Sequence, residues 1–202
     1  MPVDFALIID NSGSICNTHN REVVSSLLTQ VLGRLRATAG PRKLPSMWVY
    51  TFPRSGSRMQ SLGVLDTRTY TSTKVLDVCR GEVGNTDVGP ALRLAATFGG
   101  KAVILSDFVN TVATGVTTVD LGALRGRAYL VVLEPVVLWK PNYGEVAGIL
   151  SRSGLDCGEV KSGRALTECL NNGGVKARYL EYSTRDKSIP DLSREIAEFV
   201  LS

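Results

Sequence analysis

Apolar runs and amphipathic stretches alternate along this chain of 202 residues. Phe5 to Ile9 is an almost unbroken apolar run, the pattern of a strand covered on both faces. Asn20 to Ala39 follow with Val24, Leu27, Leu28, Val31, Leu32 and Leu35 at three- and four-residue spacing. That spacing predicts a helix, which Gly40-Pro41 stops. Met47 to Phe52 reads as a second strand, and residues 61–65 as a third that returns antiparallel at the sheet edge. Val88 to Phe98 reads as a helix with Pro90 in its first turn and Gly99-Gly100 at its end. Strands are predicted over Ala102–Leu105, Ala128–Leu133 and Val175–Tyr182. Helices are predicted near Tyr143–Arg152, near Arg164–Asn171 and from about Pro190 to Leu201. Strands alternating with helices define an α/β fold, doubly wound and Rossmann-like, with helices on both faces of a mostly parallel sheet.

Composition narrows this only a little. Hydrophobic residues make up 44% and charged residues 21%, which fits a globular chain rather than a disordered one. One domain over 1–202 is the expectation at this length. The net charge of +4 is too small to imply nucleic acid by itself. Arg42, Lys43, Arg54 and Arg58 are dispersed, and no groove-reading motif accompanies them. No apolar run approaches a membrane span, and Met1-Pro2-Val3-Asp4 lacks the basic segment of a secretory leader. A cytoplasmic protein is expected. Cys16, Cys79, Cys157 and Cys169 include no Cys-x-x-Cys pair, and His19 is the only histidine, so zinc is set aside. Four free thiols are expected in a reducing compartment; a Cys157–Cys169 pair has no geometric support in the sequence.

Three separated fragments carry the chemistry. Asp10-Asn11-Ser12-Gly13-Ser14 ends the first strand, Gly84-Asn85-Thr86-Asp87 opens a helix, and Asp107 ends the strand over Ala102–Leu105. In an open parallel sheet the carboxyl ends of the strands share one edge, where ligands bind. Asp10 and Asp107 would therefore meet there, with Ser12, Ser14 and Thr86 supplying hydroxyls. Magnesium prefers such hard oxygens and keeps some of its waters. Two carboxylates balance its charge and leave it electrophilic toward one further anion. Each fragment alone has an ordinary explanation: a turn after a strand, or Thr86 as a helix N-cap.

Together, the fragments resemble the von Willebrand factor type A domain and its metal-ion-dependent adhesion site. Asp10, Ser12 and Ser14 match the Asp-x-Ser-x-Ser signature, Thr86 the family's threonine, and Asp107 its distal aspartate. The resemblance implies a Mg²⁺ site, with Mn²⁺ or Ca²⁺ as alternatives, in an intracellular, stand-alone bacterial-type member. It implies an adaptor or assembly subunit that binds a Glu or Asp of a partner protein, such as an AAA+ ATPase or an operon-encoded protein. The family usually reads Thr-Asp-Gly at the distal site, where this chain has Ser106-Asp107-Phe108. The loop after Asp107 is therefore expected to be set differently, because Phe lacks the backbone freedom of Gly.

Around that edge, Arg54 and Arg58 in the turn over 53–60 are candidates to pair with acidic groups of a partner. Phe108, Trp139 and Tyr143 are candidate contact residues, being types enriched at binding hot spots. An enzyme is the competing class. Haloacid-dehalogenase-type phosphatases also end a first strand with aspartate, but place a second one two positions later as general acid. Ser12 stands there, so no enzymatic activity is expected.

Overall fold

A computed structural model describes residues 4–16, 19–40, 44–52, 60–65, 67, 86–113, 115–136 and 140–202. In chain order the elements are β1 (Phe5–Ile9), α1 (Gly13–Cys16), α2 (His19–Ala39), β2 (Met47–Thr51) and β3 (Gln60–Leu65). There follow α3 (Val88–Thr97), β4 (Lys101–Ser106), α4 (Leu121–Arg127) and β5 (Ala128–Leu133). The last four are α5 (Gly144–Arg152), α6 (Gly163–Asn172), β6 (Lys176–Leu180) and α7 (Arg185–Leu201). The sheet order is β3-β2-β1-β4-β5-β6. Only β3 runs antiparallel, against β2; the other neighbours are parallel. The mostly parallel sheet with an antiparallel edge strand is as expected.

Why the central strands read as continuous apolar runs is plain from what covers them. Phe5, Leu7 and Ile9 point to one face, under α2 and α7; Ala6 and Ile8 point to the other, under α3 to α6. All six predicted apolar positions of α2 are buried. Gly40 follows α2 with φ 66°, the left-handed region that ends helices and favours glycine.

Some predicted boundaries move. The last helix begins at Arg185, and Pro190 lies inside it. Pro190 has no N–H to offer the Asp186 carbonyl, and Asp186 is exposed, so that carbonyl is open to solvent. The helices α1 and α4 have no counterpart in the sequence prediction. The edge strand β6 is capped from its own side: Asn171 Nδ2 donates to the Ala177 carbonyl at 2.9 Å, and Ala177 N donates to Asn171 Oδ1 at 3.0 Å.

The expectation of four free thiols is corrected. Cys157 and Cys169 form a disulfide, with Cα atoms 5.6 Å apart. Cys16 is disulfide-bonded as well, and none of the described cysteines is free. Bonded cysteines do not point to a reducing compartment, since disulfides persist mostly in oxidising compartments and in intracellular proteins of hyperthermophiles. Among the described residues no helix is long and apolar enough to cross a membrane.

Candidate metal centre

Chain direction sets the site. From β1 the chain moves outward to β2 and β3, then returns to lay β4 on the other side of β1. The order reverses between β1 and β4, which makes their carboxyl ends the switch-point crevice. Ile9 lies opposite Leu105 in register, and Asp10 N donates to the Leu105 carbonyl at 2.9 Å. Asp10 and Asp107 thus leave adjacent strands side by side, each only 1% exposed.

The first loop folds back on Asp10. Ser12 N donates to Asp10 Oδ1 at 2.9 Å, and the Ser12 and Ser14 hydroxyls lie 2.9 Å apart. Ser106 supplies what the sequence reading missed. Its hydroxyl donates to Asp10 Oδ2 at 2.6 Å and accepts from Phe108 N at 2.9 Å, so one side chain ties both strand ends together. A serine at a strand end reads as a turn residue; its full burial after four apolar residues is the signal that sets it apart. Asn20 was also passed over. Buried in the first turn of α2, its amide donates to the carbonyls of Ser14 at 3.2 Å and Glu134 at 3.0 Å.

Phe108 takes φ 58°, the left-handed conformation that glycine enters freely. A phenylalanine therefore holds here, at a cost in backbone strain, a conformation that glycine takes freely. Asn110, at φ 52°, does the same and exchanges hydrogen bonds with Asn142: Asn110 N to the Asn142 carbonyl at 2.8 Å, and Asn142 N to Asn110 Oδ1 at 3.2 Å.

Thr86 is buried beside the same loop, its carbonyl accepting from Val112 N at 3.0 Å. It is not the N-cap of α3. Asp87 holds that position and accepts from Gly89 N at 3.1 Å, which leaves the Thr86 hydroxyl out of the cap. Gly84 and Asn85, like Arg54, Arg58 and Trp139, lie outside the described residues. Phe108 and Tyr143 are corrected as surface contacts: they are 0% and 1% exposed and belong to the core under α3 to α6. Tyr143 is buried because it turns the chain into α5 directly over that core. Burial pushes its hydroxyl well above the ordinary phenol range, with Tyr179 and Asp107 adding to the shift.

Electrostatically the site disfavours having both carboxyls charged at once. Burial raises the Asp10 carboxyl, against the opposing hydrogen bonds from Ser106 and Ser12. Burial, and then the charge of Asp10, push Asp107 up to about 7, while the facing Ser14 hydroxyl and Val109 N lower it. Asp107 Oδ1 accepts from Val109 N at 3.2 Å, but Oδ2 is buried with no hydrogen-bond partner among the described residues.

A stability profile follows. The folded Asp107 carboxyl, at about 7, lies above its ordinary value of 3.8. The native state therefore holds a proton that the unfolded chain has released, and stability falls as pH rises from that ordinary value through about 7. In EDTA, the urea midpoint is expected to be lower at pH 8 than at pH 5, and Asp107→Asn is expected to flatten the difference. An unchanged slope in that variant would place the titrating group elsewhere.

The donor set suits a hard divalent cation: two buried carboxylates, one oxygen still unsatisfied, and the paired hydroxyls of Ser12 and Ser14, with Thr86 buried beside the loop after Asp107. Among the described residues no three His, Cys, Asp or Glu side chains gather as a metal cluster, so such an ion would rest on hydroxyls for the balance of its protein ligands.

Comparison of the whole chain with known proteins defines the fold. The structure resembles a von Willebrand factor type A protein from Catenulispora acidiphila, at 13% identity and a TM-score of 0.55, covering 98% of this chain and 42% of that one. It also resembles an aerotolerance-related membrane protein from Bacteroides fragilis bearing multiple mutations to serine, at 14% identity and TM-score 0.54, covering 97% and 99%. A third is the pilus adhesin SpaC from Lactobacillus rhamnosus GG in its open conformation, at 12% identity and TM-score 0.58, covering 98% and 30%. The chain thus spans less than half the length of the first and third of these. No family model and no curated protein matches the sequence. At these identities the likeness is one of architecture: this chain has the von Willebrand factor type A fold.

Proposed function

We propose that this chain is a protein-binding module, without catalytic activity, that grips an acidic residue of its partner through a divalent cation, with Mg²⁺ the first choice. The observation that carries the reading is the buried Asp10–Asp107 pair at the switch point, with Asp107 Oδ2 unsatisfied. Two carboxylates shielded from water repel one another and oppose folding once both are ionised, unless a cation enters. When bound, such an ion would offer a coordination position to an anionic oxygen of the partner. Asp10 and Asp107 would hold it, with Ser12, Ser14 and Thr86 as neutral donors that leave its charge uncancelled. Ser106 and Asn20 would hold the two loops in place. The absence of an acid two residues after Asp10 supports binding over phosphoryl transfer. That SpaC is a pilus adhesin is consistent with a binding role for the fold.

Isothermal calorimetry with Mg²⁺ and Mn²⁺ tests the ion, and capture of partners in Mg²⁺ against EDTA tests the module. Ser12→Ala, Ser14→Ala and Thr86→Ala are each expected to weaken the ion by ~10-fold, the lower end of what removing even an indirect support of a metal costs. Their melting temperatures should stay close to that of the parent. Variants that unfold while binding the ion normally would reverse these assignments. Capture that is as strong in EDTA as in Mg²⁺ would sink the metal-dependent reading.

A further inference from the structure

We infer that Arg185, stacked on Tyr182 and through it on His19, is a second acceptor for acidic groups beside the candidate metal loop, so that the partner presents two carboxylates rather than one. The inference rests on the metal-dependent reading above and extends it to the partner's chemistry.

The three residues come from the two ends of the chain. His19 is the first residue of α2, which follows β1, and Arg185 the first of α7, which follows β6. Both helices leave parallel strands, so both begin at the carboxyl edge that carries Asp10 and Asp107. The His19 and Tyr182 ring centroids lie 4.3 Å apart, and the Arg185 guanidinium carbon lies 4.0 Å from the Tyr182 ring centroid. A short relay of hydrogen bonds joins this stack to the loop. Asn20 links the carbonyls of Ser14 and Glu134, and Glu134 Oε2 accepts from Tyr182 N at 2.7 Å.

The placement of charge points to an anionic visitor. A cation at the first position of a helix stands where the dipole disfavours it. Among the described residues the Arg185 side chain has the Tyr182 stack, one weak ion pair and one hydrogen bond. Its ion pair is with Asp186 at 3.8 Å, whose side chain is 92% exposed, so water screens it. One hydrogen bond runs from Nη1 to the Tyr182 carbonyl at 3.2 Å, and a guanidinium has donors beyond that one. Stacking on Tyr182 fixes the plane of the group in advance, which favours the two-point grip that a carboxylate accepts. Exposed Lys187 adds positive charge two residues on. Glu134, which accepts from Tyr182 N, and Asp186 balance the charge of Arg185 and Lys187, so recognition would rest on the planar guanidinium rather than on net charge.

The test uses the full chain in Mg²⁺ and labelled synthetic peptides read by fluorescence anisotropy. Each peptide carries two glutamates separated by a glycine spacer of varied length, and each has a control with the second glutamate changed to glutamine. At least one spacer is expected to give about fivefold tighter binding than its control, the yield of a good, partly exposed ion pair. Arg185→Gln should bring that ratio to about one and leave the Mg²⁺ affinity and the control peptide unchanged. Arg185→Lys, with the charge but not the planar fork, should keep part of the ratio. If no spacer gains over its control, or if the gain survives in Arg185→Gln, the second acceptor is refuted while the metal reading stands. If Arg185→Gln weakens the control peptide equally, the residue supports the metal loop and the inference fails. If no peptide, control included, binds in Mg²⁺, the metal reading and this inference fall together.

Discussion

Asp10→Asn is expected to abolish divalent-cation binding and leave the fold standing. The asparagine keeps the shape of the side chain, and its amide oxygen can still accept from Ser12 N, which bonds Asp10 Oδ1 in the parent. Its amide nitrogen would face Ser106, whose hydroxyl can turn from donor to acceptor. What disappears is charge. With Asp10 neutral, the second cause of the Asp107 shift is gone, and the Asp107 carboxyl should move down from about 7 toward its ordinary range. In EDTA at pH 8 the variant should therefore be at least as stable as the parent, because one buried charge and one repulsion have been removed. In Mg²⁺ the order should reverse, since only the parent gains by binding the ion. Melting curves at pH 8, with EDTA and with Mg²⁺, read both halves at once. A variant that still shows a Mg²⁺-dependent rise equal to the parent's would mean that the Asp10–Asp107 pair is not where the ion sits.

Phe108→Ala is expected to cost ~3–5 kcal/mol, the usual range for emptying a buried aromatic site. Its ring is 0% exposed and packs in the core under α3 to α6. The left-handed backbone at φ 58° is unfavourable by about 1–2 kcal/mol for any residue with a Cβ, so alanine inherits the strain without the packing. Glycine would lose the packing but shed the strain, at the expense of a larger entropy loss on folding. Phe108→Gly should thus be the more stable of the two variants by about 1 kcal/mol. Urea denaturation of both decides it. An alanine variant within ~1 kcal/mol of the parent would contradict the packing, and a glycine variant no better than alanine would contradict the strain. The ring thus offsets the turn that aims Asp107, so packing and site geometry are coupled at this residue.

The parts of the fold that were legible in the sequence are those with one dominant cause. β1 and β5 are apolar at every position because helices cover both faces, and α2 is long enough for its period to stand out. α4 escaped because seven residues with Gly122 and Gly126 among them bury only Leu121 and Leu124, too few to show a period. The five candidate ligands were legible as types at strand ends and helix starts. Their supports were not: Ser106 and Asn20 act on partners far away in sequence, and nothing local marks such a bond. The Cys157–Cys169 link was hidden for the same reason, since it depends on how α6 lies against the segment before it. Tyr143 was misjudged because an aromatic near a loop looks the same whether it faces solvent or closes the core.

Asn171 has a consequence for how this molecule behaves in a crowded solution. A bare outer strand is a template on which another chain can lay its own backbone, and repeated addition builds fibres. At β6 the Asn171 amide already occupies the N–H and C=O of Ala177, in the manner of a strand that stops after one residue. The exposed Lys176 and Arg178 flank it with like charge. An incoming strand would have to evict a side chain anchored on α6 and crowd its own backbone against two cations. At Ala177 the border of the sheet is closed to an incoming strand, and association at that point would have to proceed through side chains rather than by extension of the sheet.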